Sequence, residues 1–146
     1  MSTPKINPGS PGRAGSLAPL GRRVSEGWPG PGGQGAILKV LSALSWVSIP
    51  GAGAYCAAKS AEWSLTNATR VQLADQGTQV TALHVGYMDT DMARHVTSGK
   101  IDPAVVAKLA LDGLAAGQPE VLADEISQQA QRGLAGGVAA LYPQFA

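Results

Sequence analysis

From Gly35 onward, apolar and polar positions fall into short dense runs separated by longer stretches with helical spacing, whereas residues 1–34 show neither a period of two nor one of 3.6. The run "GAILKVLS" is short, apolar and rich in β-formers, and it reads as a strand. A loop marked by Gly and Pro, "SWVSIPGAG", follows, and then a long helical pattern from about Ala54 to Asp75 that Gly77 stops. "TQVTALHVG" is a second apolar strand. Two strands joined by a helix of this length form a crossover unit, which predicts parallel pairing.

A second unit follows the same logic. Asp102 and Pro103 supply an N-cap and a first-turn proline for "AVVAKLALDGLAAG", and Gly117 ends that helix. "PEVLAD" predicts a third strand and "EISQQAQRGL" a last amphipathic helix. The expected architecture is α/β with about three parallel strands and flanking helices, over a domain spanning residues 35–146.

Residues 1–34 change the picture at the other end. They hold eight Gly and six Pro with a local charge of +3, and such a stretch cannot bury enough surface to offset its ordering entropy. It is expected to be disordered. Its Gly30, Gly32 and Gly35 spell a nominal Gly-x-Gly-x-x-Gly, but the motif precedes a strand instead of joining a strand to a helix, so it reads as accidental.

The chain of 146 residues is a one-domain length, 45% apolar and only 5% aromatic, so its core must be built from small aliphatic side chains. A net charge of +1 without a Lys or Arg run supplies no footprint for nucleic acid or an anionic membrane. One cysteine, Cys56, excludes an internal disulfide, and His84 and His95 have no metal-ligand spacing. No apolar stretch approaches the ~20 residues that span a bilayer. These features predict a soluble, metal-free, cytoplasmic protein.

The candidate chemistry lies in "GAGAYCAAKS". Tyr55 and Lys59 stand one helical turn apart on a common face, where an ammonium favours the phenolate and readies the phenol for proton exchange. Ser42, thirteen residues before Tyr55 and at the carboxyl end of the first strand, lies where open α/β sheets place their ligand crevice. Its hydroxyl can hold a carbonyl oxygen while charge develops there. A Tyr-x-x-x-Lys by itself is also what a solvated helix pair looks like.

The surroundings weigh against that plain reading. "GAILKVLSALSWVSIPGAGAYCAAKSAEWSLTNATRVQLADQGTQVTALHVGYMDTDM" resembles the catalytic half of the short-chain dehydrogenase/reductase family. The likeness covers a strand ending in serine, a Pro-Gly loop, the Tyr-x-x-x-Lys helix, a glycine after the next strand, and "DTDM". It implies a partial Rossmann-like doubly wound sheet and an NAD- or NADP-dependent interconversion of an alcohol and a ketone or aldehyde. It further implies that Tyr55 is the proton donor or acceptor, that Ser42 orients the substrate carbonyl, and that Lys59 tunes the tyrosine and binds the nicotinamide ribose. Ser42 is preferred to Ser45 on spacing. Gly86 and Thr90 would line the nicotinamide, with Val85 standing where the family has proline. The family's members often form homo-oligomers, and a non-catalytic association module using the long helix and last strand is the competing expectation.

The family's Thr-Gly-x-x-x-Gly turn and Asn-Asn-Ala-Gly segment have no counterpart here, and neither Asn7 nor Asn67 stands at the place of the catalytic asparagine. The resemblance thus implies a truncated enzyme that lacks the pyrophosphate site and is weakly active or inactive alone. Its first strand would be left as an exposed apolar edge. Residues 1–34 would then be a non-native leader, of the kind a coding region yields when read in the wrong frame. The plain readings of the remaining residues are packing for Cys56, a structural role for His84, an exposed position for His95, core or subunit contacts for Trp63 and Leu65, and turn or capping roles for Asp89 and Asp91.

Overall fold

A computed structural model of the chain describes residues 35–145. The expectation for residues 1–34 lies outside the described residues, as do Gly30 and Gly32 of the nominal glycine motif. Three strands form one parallel sheet: β1 (Ala36–Val40), β2 (Gln79–His84) and β5 (Glu120–Leu122), in the order β1-β2-β5. Ala36 pairs with Gln79 and Val40 with Leu83, while Ala82 pairs with Glu120 and His84 with Leu122. β2 is the central strand, and its last five residues are buried. A central parallel strand is covered on both faces, which is why it reads as a near-continuous apolar run.

Helices cover the two faces, and strand alternation decides which side chain meets which helix. Leu38, Leu83, Val85, Val121 and Ala123 point one way and form a core with Val106 and Ala110 of α2 (Pro103–Ala115). On the opposite face, Leu122 and the residues around Trp46 pack with Trp63 of α1 (Gly53–Leu73) and Ala130 of α3 (Glu125–Leu134). Each helix has an identifiable start or stop. Asp102 caps α2 by accepting from the Ala104 amide at 2.7 Å, and Pro103 opens its first turn. Gly77 and Gly117 follow α1 and α2 with φ of 64° and 72°, a conformation that favours glycine.

Two features were not expected. β3 (Tyr87–Met88) and β4 (Lys100–Ile101) form a separate two-residue parallel pair that ties down the segment between β2 and α2. A short helix, α4 (Gly137–Leu141), folds back on α3, where the Leu141 side chain comes so close to Gly133 that a Cβ there would lie 2.7 Å from it. Neither carries a strong periodic signal, since two-residue strands and one-turn helices are defined by what they pack against. Among the described residues β1 pairs with β2 alone, and Val40 at its end is 48% exposed.

Candidate active site

The chain leaves β1 at its carboxyl end but keeps its bonding to β2 for several residues. The Leu41 amide donates to the Leu83 carbonyl at 2.7 Å and the Ala43 amide to the Val85 carbonyl at 3.0 Å. Ser42 lies between these two bonds, buried, in extended conformation, as the N-cap of a single 3-10 turn from Ala43 to Ser45. Its Oγ accepts from the Leu44 amide at 3.1 Å. The same ladder brings Gly86, just beyond β2, to the edge on which Ser42 sits.

Tyr55 and Lys59 are in the first two turns of α1, which begins near this edge. The Lys59 ammonium lies 5.9 Å from the centre of the Tyr55 ring. It also donates to the Val40 carbonyl at 3.3 Å, two residues before Ser42, so the lysine joins the helix to the carboxyl end of β1. Its other partner is Glu62, at 3.0 Å, one turn further along α1. Glu62 reaches Lys39 of β1 as well, at 3.2 Å. Its carboxyl is held below the usual glutamate range, first by the hydrogen bond from Lys59 and then, against the cost of partial burial, by the one from Lys39.

Tyr55 is 45% exposed. No hydrogen bond joins its hydroxyl to Ser42 Oγ among the described residues. Ser45 is as buried as Ser42 and its Oγ has no hydrogen-bond partner; its carbonyl receives the Ser60 hydroxyl of α1 at 2.8 Å. Thr90 is exposed, opens a 3-10 turn with its backbone, and makes no polar contact to Tyr55 or Lys59. Ser42 and Gly86 follow the carboxyl ends of β1 and β2, Lys59 bonds to the end of β1 with Tyr55 beside it, and Thr90 stands further along the loop after β2. Asp89 pairs with Lys100 across the β3–β4 pair, and the N-cap next to Asp91 is Thr90, so Asp91 is the first residue of that turn and not its cap.

Two contributors, Asp124 and Glu62, were not among the expected site residues. Asp124 accepts the Gly86 amide on Oδ2 at 2.6 Å and the Ser127 amide on Oδ1 at 2.8 Å, in a capping box that starts α3. It thus anchors the loop after β2. Glu62 was discoverable from its i,i+3 spacing to Lys59. Cys56 is buried at 2%, His84 at 0%, and Trp63 meets Trp46 edge to face with ring centres 6.1 Å apart, whereas Leu65 and His95 are exposed.

A three-stranded parallel sheet with helices on both faces defines part of a doubly wound α/β fold. The family model described as short chain dehydrogenase matches residues 22–101, and the chain belongs to that family. The crystal structure of a short chain dehydrogenase from Burkholderia cenocepacia in complex with NADP superposes with a TM-score of 0.70 at 33% identity, over 75% of this chain and 48% of that one. The inactive 2-(S)-hydroxypropyl-CoM dehydrogenase 2 of Xanthobacter autotrophicus is 37% identical over 76 residues, which cover 51% of this chain and 33% of that protein. SadH of Mycobacterium tuberculosis, an oxidoreductase by name, is 29% identical over 76% of this chain and 51% of its own length. The chain thus spans a third to a half of the relatives it matches. Among the described residues no helix is long and apolar enough to cross a membrane.

Proposed function

We propose that this chain carries the catalytic half of an NAD- or NADP-dependent oxidoreductase that interconverts an alcohol and a ketone or aldehyde. The observation that carries the reading is the Lys59 ammonium, which faces the Tyr55 ring from 5.9 Å while bonded to the Val40 carbonyl beside Ser42. Tyr55 delivers a proton to the substrate oxygen in the reducing direction and removes it in the oxidising direction. Ser42 Oγ turns from the Leu44 amide to hold the same oxygen. Lys59 keeps a cation beside the phenol and offers its remaining donor capacity to a ribose hydroxyl.

The residues present suit the nicotinamide end of a dinucleotide. Tyr55 is open to solvent, Lys59 has a hydrogen-bonding ammonium at the carboxyl end of β1, and Gly86 follows β2 with its amide held by Asp124. The cofactor, when bound, supplies or accepts the hydride. Thr90 is proposed to line the nicotinamide from the loop that follows. Exposed apolar side chains on α1 and α2, among them Leu65, Val71, Val105 and Leu111, favour a second role for these helices in pairing with another copy of the chain.

The test is a fluorescence titration of the purified chain with NADPH and NADH, paired with reductase assays on a panel of ketones for the parent and Tyr55→Phe. Weak but saturable binding is expected, with slow turnover that Tyr55→Phe abolishes. Absence of saturable binding, or equal turnover in the two proteins, rejects the enzymatic reading and leaves association.

A further inference from the structure

His84 has no solvent exposure at all, yet the proposed chemistry does not use it. Strand alternation turns its side chain to the α1 face of β2, where its ring stacks on Trp46 at 3.8 Å with 17° between planes. Nδ1 lies 3.3 Å from the Ser42 carbonyl oxygen and Nε2 lies 3.7 Å from Glu120 Oε1. Glu120 is fixed in turn by the Trp63 indole N–H on Oε1 at 3.1 Å and the Gln131 amide on Oε2 at 2.9 Å. Both ring nitrogens therefore face oxygen. Both neighbours only accept, and Nδ1 has the shorter contact, 3.3 Å against 3.7 Å for Nε2, which favours a hydrogen on Nδ1.

The Ser42 carbonyl takes a second donor, the Ser45 amide, at 2.9 Å. With the Leu41 and Ala43 amides bonded to β2, the backbone around Ser42 is held at four points, and His84 is the single side chain among them. Holding this carbonyl fixes the backbone torsion after the Ser42 Cα, and with it the place of the Leu44 amide whose bond to Oγ orients the serine hydroxyl. We infer that His84 is a positioning residue for Ser42: donating from Nδ1 to the Ser42 carbonyl, it aims the serine hydroxyl at the place of the substrate oxygen. The inference rests on the proposed role of Ser42 in carbonyl chemistry.

Asparagine and glutamine separate this role from mere packing. The amide nitrogen of Asn occupies the place of Nδ1, and that of Gln the place of Nε2, so His84→Asn keeps the donor to Ser42 and His84→Gln loses it. In the parent chain, ring 15N–1H correlation spectra are expected to show a protonated Nδ1 in His84, with exposed His95 as the internal reference. The Ser42 carbonyl 13C shift should stay near its parent value in His84→Asn and move in His84→Gln. In the ketone reductase assay kcat should fall by roughly 10- to 100-fold in His84→Gln, with cofactor KM unchanged, and by less than about threefold in His84→Asn. A His84 protonated only on Nε2, or equal behaviour of the two variants, overturns the inference. A parent chain without turnover rejects the proposed function alone, because the two spectroscopic readouts still decide whether His84 holds the Ser42 carbonyl.

Discussion

The Asp124 carboxylate accepts the Gly86 amide at 2.6 Å, so a residue 38 positions later in the chain fixes the loop that follows the central strand. The other oxygen of the same carboxylate caps α3 through the Ser127 amide. One side chain joins the loop after β2 to the start of α3. It does so with charge-assisted bonds, which are stronger than neutral ones.

Replacing Asp124 by alanine removes both bonds at once. Loss of the cap alone costs ~1 kcal/mol, and an amide bond to a charged acceptor adds about 1.5–3 kcal/mol. Urea denaturation of Asp124→Ala should show a destabilisation of roughly 2–4 kcal/mol, with Asp124→Asn retaining part of it. A variant as stable as the parent would mean that the loop is held by other contacts.

Gly113 lies on the buried face of α2, against β5. A Cβ there would sit 2.2 Å from Val121 Cγ2 and 3.0 Å from the Gln118 side-chain oxygen. Alanine in a helix normally gains about 1 kcal/mol over glycine, whereas overpacking a filled core costs about 1–3 kcal/mol. At 2.2 Å the steric cost wins, so Gly113→Ala should lower the melting temperature. A rise would show that α2 can move away from the sheet without loss.

Glu120 makes the acid limb of stability specific. Its carboxyl is pulled down to about 2 by the His84 ring first, then by the Trp63 and Gln131 donors, against the opposing cost of burial. The indole and amide bonds are of ordinary length, whereas the imidazole at 3.7 Å is a longer-range partner. A carboxyl depressed in the folded state contributes stability that is complete above its unfolded value near 4.5 and is lost as pH falls toward about 2. Glu120→Gln should therefore flatten the decline of stability between about pH 4.5 and 2, read as denaturation midpoints across that range.

Glu62 bridges Lys39 and Lys59 and restrains the lysine proposed to serve both Tyr55 and a ribose. Partly exposed ion pairs contribute about 0.2–1 kcal/mol, so Glu62→Gln should weaken NADPH binding by roughly two- to fivefold without altering the fold. Direct titration checks it, and circular dichroism confirms that the structure is retained. Unchanged binding would detach Glu62 from the site.

Local rules read directly from the chain set much of this molecule. Apolar runs at 36–40 and 79–84, the Asp102-Pro103 start and the Gly77 and Gly117 stops identify strands and helices, because backbone sterics and capping act over a few residues. The Tyr55–Lys59 relation is equally local, being one helical turn. The β3–β4 pair, the folded-back α4, the Asp124 anchor on Gly86 and the Trp46–His84 stack beside Glu120 belong to tertiary structure. Each joins segments whose separation along the chain leaves no periodic trace. Only the parallel register of β1, β2 and β5 brings the Ser42 carbonyl, His84 and Glu120 together, and a one-residue slip of β2 or β5 would send the His84 and Glu120 side chains to opposite faces.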